Sequence, residues 1–179
     1  MSRILRTVLV VVLAGAGVIA AVPAPAAAGV LDVTCTPPTS NLNTYTPPLT
    51  TTPQPVTDST TALYGPCVSA THPAITSGTR TATFPTVSSC ADLLGPGTIT
   101  YTITWNTGQT TTITSNFTRV VAGAVYTVAA TGVVTGGLFA GDTVVTNFTG
   151  PATDITLCTL GLGTVGSVNT TGLLEITSL

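Results

Sequence analysis

The chain offers few groups for catalysis. Its principal acid–base residues are one histidine, His72, and six carboxylates: Asp32, Asp58, Asp92, Asp142, Asp154 and Glu175. A Ser-His-Asp triad would have to recruit His72, because that mechanism needs an imidazole to take the serine proton. His72 precedes Pro73 in a turn, and no G-x-S-x-G elbow accompanies it; Gly166-Ser167-Val168 lacks the rest of that pattern. Glycoside hydrolysis needs two carboxyl groups about 5–10 Å apart. Asp142 and Asp154 are the candidates, and a secreted hydrolase built on them is the enzymatic alternative. Turn formation after Gly141 already accounts for Asp142, however. Asp92, close behind Cys90, suits a cap on a short helical turn. The acids are too scattered for calcium, and the cysteines too widely spaced for a tetrathiolate zinc site. No catalytic residue, metal ligand or cofactor is assigned.

Two aromatic residues are candidates for ligand contact. Trp105 ends a strand and would stack on a sugar if exposed, although a tryptophan in phase with Ile103 suits a core as well. Tyr126 begins a later strand. Exposure of either would favour a ligand-binding or carbohydrate-binding module; an apolar edge strand left open would favour self-assembly by strand addition.

The elements that carry these residues are strands. In Thr98-Ile99-Thr100-Tyr101-Thr102-Ile103-Thr104-Trp105, threonine alternates with a large apolar residue. Period-two alternation of β-branched and apolar residues marks a half-buried strand. Asn106-Thr107-Gly108 then turns the chain, with Gly108 supplying the left-handed position of a three-residue loop. That register sets Thr104 opposite Thr110, Thr102 opposite Thr112, Thr100 opposite Thr114, and Tyr101 opposite Ile113. A second turn at Ala122-Gly123 sets Phe117 opposite Val128 and Arg119 opposite Tyr126. Further strands are expected at Val30–Cys35, Val56–Tyr64, Thr79–Phe84, Tyr126–Val134, Thr143–Thr149 and the C-terminus, and Asp154–Cys158 is expected to return toward Cys90. The Pro/Thr-rich segment 36–56 reads as an edge strand or ordered loop, because proline cannot donate to a central ladder. About 7–9 short strands without a long helix predict an antiparallel, all-β sandwich, with an antiparallel barrel as the alternative.

The N-terminus reads as a secretory leader. Arg3 and Arg6 precede the apolar run Thr7–Val22, and Ala26-Ala27-Ala28 forms a cleavage site. The expectation is a signal peptide at 1–28, a single domain at 29–179 and a secreted, extracellular protein with no membrane span after cleavage. Beyond residue 28 only Arg80 and Arg119 are positive, against six carboxylates, for a net charge of −4. The basic footprint of a nucleic-acid partner is missing. Partners are expected among extracellular proteins or polysaccharides. In an oxidising compartment Cys35, Cys67, Cys90 and Cys158 predict two disulfides. Cys35–Cys67 and Cys90–Cys158 are the favoured pairs of three connectivities, because each links segments that read as neighbouring strands.

Several of these pieces occur together in a known group of proteins. Cys35 in the first strand, Gly65-Pro66-Cys67, Thr79–Phe84 leading to Ser89-Cys90, and the Ile103–Gly108 turn follow the Ala-rich leader in order. Gly132–Asp142 and Leu157-Cys158 complete the set. The chain thereby resembles the small secreted proteins of unknown function of Streptomyces and related actinobacteria. The resemblance implies an immunoglobulin-like β-sandwich and a secreted location, and brings no catalytic residues. The functional expectation is a non-catalytic binding or surface-structural module.

Overall fold

A computed structural model describes residues 31–178. The expected leader at 1–28 lies outside the described residues. The chain forms strands β1 (Leu31–Cys35), β2 (Ser40–Leu49), β3 (Gln54–Tyr64), β4 (Cys67–Val68), β5 (Gly78–Ser88), β6 (Gly95–Trp105), β7 (Thr110–Ala122), β8 (Val125–Gly137), β9 (Thr143–Pro151) and β10 (Val165–Thr177). A 3-10 turn spans Cys90–Leu93, and one helix, α1, spans Thr153–Thr159.

These strands make one antiparallel sheet in the order β2-β3-β5-β6-β7-β8-β9-β10, and β10 pairs back onto β2. The result is a closed barrel of eight strands. The expected immunoglobulin-like sandwich would need two facing sheets; a single sheet that returns to its first strand is the barrel alternative. β10 makes closure possible through its length of 13 residues. One stretch of it, Val165–Thr171, pairs with β2, and the next, Leu174–Thr177, pairs with β1. Where β10 crosses β9, Gly172 brings the backbones so close that a Cβ would overlap the Asn147 carbonyl oxygen.

The first hairpin has the expected register. Thr100, Thr102 and Thr104 face Thr114, Thr112 and Thr110, and Tyr101 faces Ile113. Gly108 takes φ 83° and donates its N–H to the Trp105 carbonyl at 2.9 Å. The threonine hydroxyls bond across the outer face, Thr100 to Thr114 and Thr102 to Thr112, each at 2.9 Å. The second hairpin is a correction. Its turn is Gly123-Ala124, so Phe117 faces Ala130, Arg119 faces Val128 and Val121 faces Tyr126. The slip is two residues, which changes partners and preserves which side chains point inward.

Segment 36–56 also departs from expectation. It contributes β2, flanked by β3 and β10, and so lies within the barrel wall. Four of its prolines are tolerated because they sit where pairing lapses. Pro37 and Pro38 precede the strand, and Pro47 and Pro48 fall at the bulge where the β2–β10 register shifts. Residues 154–158 return toward Cys90 as expected, and do so as part of a helix. Ile155 and Cys158, three apart, share the buried side of α1.

Both expected disulfides are present: Cys35–Cys67 and Cys90–Cys158. Each staples one end of the barrel. At one end Val33, Ile103, Trp105, Ile113, Leu174 and Ile176 fill the lumen beside Cys35–Cys67. At the other, α1 and the 3-10 turn close the barrel around Leu49, Val56, Leu93, Ile155 and Val165, joined by Cys90–Cys158. Asp92 accepts the backbone N–H and hydroxyl of Ser89, at 2.8 and 2.7 Å, which caps that turn as expected. Eight strands enclose a lumen that side chains only just fill. Apolar residues plug its two ends and leave a middle that polar and apolar side chains share.

Candidate functional site

The middle of the lumen is a cavity of about 380 Å³, within the range of small-molecule pockets. Its residues come from inward positions of alternating strands. In β5, Thr79, Thr81 and Thr83 point out, so Arg80, Ala82 and Phe84 point in. In β7, Asn116, Thr118 and Val120 point out, and Ser115, Phe117 and Arg119 point in. The only two cations beyond the expected leader therefore enter one cavity.

Both guanidinium groups lie over aromatic faces. The Arg80 carbon sits 4.4 Å from the Tyr101 ring centre, and the Arg119 carbon 4.5 Å from that of Phe117. The aromatic quadrupole attracts a cation placed there, and stacking leaves the N–H edge free to face the cavity. Tyr64 lies beside Arg80, and Tyr126 beside Arg119. Burial pushes the phenols of Tyr45, Tyr64, Tyr101 and Tyr126 above their ordinary range, so all four present neutral hydroxyls at neutral pH.

One acid shares the space. Asp58 on β3 accepts a long hydrogen bond of 3.4 Å from Asn43, whose amide also donates to Thr60 at 3.0 Å. Burial raises the Asp58 carboxyl above its ordinary range, and Asn43, Arg80 and Arg119 partly offset that rise. Among the described residues, Arg80 shares a side-chain hydrogen bond with Tyr64 and Arg119 one with Tyr126. Among those residues, four buried side-chain polar atoms lack a hydrogen-bond partner: Asn41 Oδ1, Arg80 Nε, Ser115 Oγ and Arg119 Nε. All four residues line this cavity.

The cavity reaches solvent at a seam. β5 and β6 pair only through Gly78–Trp105 and Thr79–Thr104. Below that point each strand keeps only its other neighbour, β3 or β7. Arg80 and Phe84 line the cavity from one lip, and Thr98, Ile99 and Tyr101 from the other. Phe84 is 42% exposed at this opening.

The residues singled out from sequence fare unequally. Trp105 is 2% exposed, donates its indole N–H to Thr111 Oγ1 at 2.7 Å and packs edge-on to Phe139. It belongs to an apolar plug and offers no exposed platform. Tyr126 is buried too, its hydroxyl donating to the Leu93 carbonyl at 3.0 Å, yet its ring lines the cavity. Asp142 and Asp154 flank β9 at opposite ends. Nine extended residues span about 30 Å, so these two acids cannot act on one glycosidic bond. Asp142 lies instead beside Asp32, and burial together with that neighbour raises its carboxyl. His72 Nδ1 meets Thr71 Oγ1 at 3.1 Å, and that hydroxyl donates to Asp32 at 2.8 Å. The His72 backbone N–H donates to Ser69 Oγ at 2.9 Å and the ring sets edge-on to Phe139, so among the described residues no serine hydroxyl bonds the imidazole as a triad requires.

Arg80 carries a signal that sequence reasoning passed over. It stands in phase with Ala82 and Phe84, between threonines that mark the wet face. An arginine on the dry phase of a strand is costly unless something inside receives it. No protein-family model, curated protein or solved structure matches this chain.

Proposed function

We propose that this protein is a secreted, non-catalytic binding module that takes a small molecule into its barrel. One observation carries the reading: the lumen is plugged at both ends and hollow in the middle, where its unsatisfied polar groups converge. Barrels of this strand number hold either packed side chains or one small ligand. The seam between β5 and β6 supplies an entrance. Two disulfides fit an oxidising extracellular compartment, and no described helix is long and apolar enough to cross a membrane. The threonine-covered outer faces of β6 and β7 differ from the apolar band of a lipid-facing barrel.

Native mass spectrometry of protein purified from its own culture medium tests the proposal. A co-purifying small molecule is expected on the wild type and absent from Ala130→Trp, which fills the cavity from an inward position of β8. Ligand-free wild type, with no stabilisation by any member of a small-molecule library, would overturn the reading.

A further inference from the structure

Resting on that reading, we propose that the ligand is a small organic monoanion, with a charged head held by Arg80 and Arg119 and an apolar body among the cavity's aromatic rings. The charge argument comes first. Two guanidinium groups face the cavity, and Asp58 is the one carboxylate lining it. With Asp58 ionised, the balance is a single positive charge that a monoanion neutralises. Buried cations that keep an unpaired donor, as both arginines do at Nε, are costly, and proteins keep them mainly where a ligand or reaction uses them.

Hydrogen-bond geometry narrows the head group. The free Nε of each arginine is a donor. A guanidinium presents its N–H groups as a fixed fork that matches the two oxygens of a carboxylate. Stacking on Tyr101 and Phe117 fixes each fork in one plane before the ligand arrives. Ser115 Oγ and Asn41 Oδ1 add one hydroxyl and one acceptor. A hydroxyl or N–H on the ligand body would satisfy both.

Beside Asn43, Thr60, Thr98, Thr146 and Thr170, the wall carries apolar side chains, among them Phe84, Ile99, Phe117, Val128 and Phe148. They suit a short hydrocarbon or aromatic body and offer nothing to a free inorganic ion. A volume of about 380 Å³ limits that body to a small molecule.

The test is calorimetric titration of the full barrel with five probes: 4-phenylbutyrate, the matching sulfonate, the neutral 4-phenylbutyramide, the cationic 4-phenylbutylamine and inorganic phosphate. The two organic anions are expected to bind at least about tenfold more tightly than the amide, and the amine and phosphate not to bind. Arg80→Gln and Arg119→Gln should each erase most of that preference, while Arg80→Lys, which keeps charge and loses the fork, restores part of it. Should the glutamine variants fail to fold, the wild-type series alone decides. Equal binding of anion and amide would overturn the anion assignment and leave the binding module standing. Phosphate binding as tight as phenylbutyrate would overturn the need for an organic body. No binding of any probe would overturn this proposal, and the ligand-free mass spectrum described above would then also remove the reading beneath it.

Discussion

Asp58 is the residue whose ionisation the cavity controls most directly. Four groups face it: Asn43 and Tyr45 from β2, Arg80 from β5 and Arg119 from β7. Burial dominates and raises its carboxyl, so the folded state holds the proton to higher pH than the unfolded chain does. The stability consequence has a definite sign. Below the unfolded carboxylate range both states are protonated and the residue costs nothing. As pH rises through the interval up to the raised value, the unfolded chain ionises first and stability falls. Asp58→Asn is therefore expected to raise the neutral-pH melting temperature and to flatten its decline between acid and neutral pH, as calorimetry would measure. Binding of a sulfonate probe, whose own charge is constant across this range, should strengthen as pH falls in the wild type and become pH-independent in Asp58→Asn. At this scale the sequence was legible in part. The threonine phase of β5 already assigns Arg80 to the interior. Trp105 misleads because the dry face of its strand points into a plug, and alternation cannot separate a plug from a cavity wall.

Elements were easier to read when their signals were local. Gly108 and the threonine alternation specify the first hairpin because a three-residue loop admits one register with matching faces. The second hairpin slipped because Ala122-Gly123 and Gly123-Ala124 both place Gly123 in a two-residue turn and preserve the faces. α1 gives only a weak signal because seven residues supply a single helical repeat, Ile155 to Cys158. This short helix depends on its staple. An isolated helix of that length does not persist in water, and α1 is joined to the 3-10 turn through Cys90–Cys158 across 68 residues of chain. Replacing both cysteines with serine should cost about 4 kcal/mol in the chain-entropy view. The loss should appear in denaturant melts, and α1 amides should gain hydrogen exchange ahead of those in β6 and β7. Uniform loss of protection across the molecule would show that the cap does not loosen separately.

At the scale of the whole molecule, alternation alone leaves sandwich and barrel equivalent, because both bury one face of every strand. Closure depends on β2 meeting β10, a pairing between residues 40–49 and 165–171 that no local pattern announces. One cue was present. A dry sandwich core has little use for Asn41, Asn43, Asp58, Arg80 and Arg119 on inward phases, whereas a hollow lumen accommodates them. Closure removes the edges that make sheets sticky, except along the seam, where β5 and β6 separate below two residue pairs. Each lip carries a proline there, Pro85 on β5 and Pro96 on β6. Proline removes a donor from an edge and discourages an added strand. The double variant Pro85→Thr, Pro96→Thr is expected to self-associate, visible as a concentration-dependent rise in mass by light scattering. A monomer at all concentrations would show that the prolines do not guard the seam.

The inward placement of both arginines also makes the barrel a reporter of its own opening. The chain has no lysine, so Arg80 and Arg119 are the only trypsin sites beyond the expected leader. Each lies within a paired strand with its side chain in the lumen, and a protease needs a locally extended, exposed segment to cut. Trypsin should therefore leave the native barrel whole and divide it only after strands separate, so that cleavage rate measures opening. A ligand bound to both side chains should slow that cleavage in proportion to its occupancy. Digestion could then follow binding on gels, with neither a label nor an optical signal from the cavity.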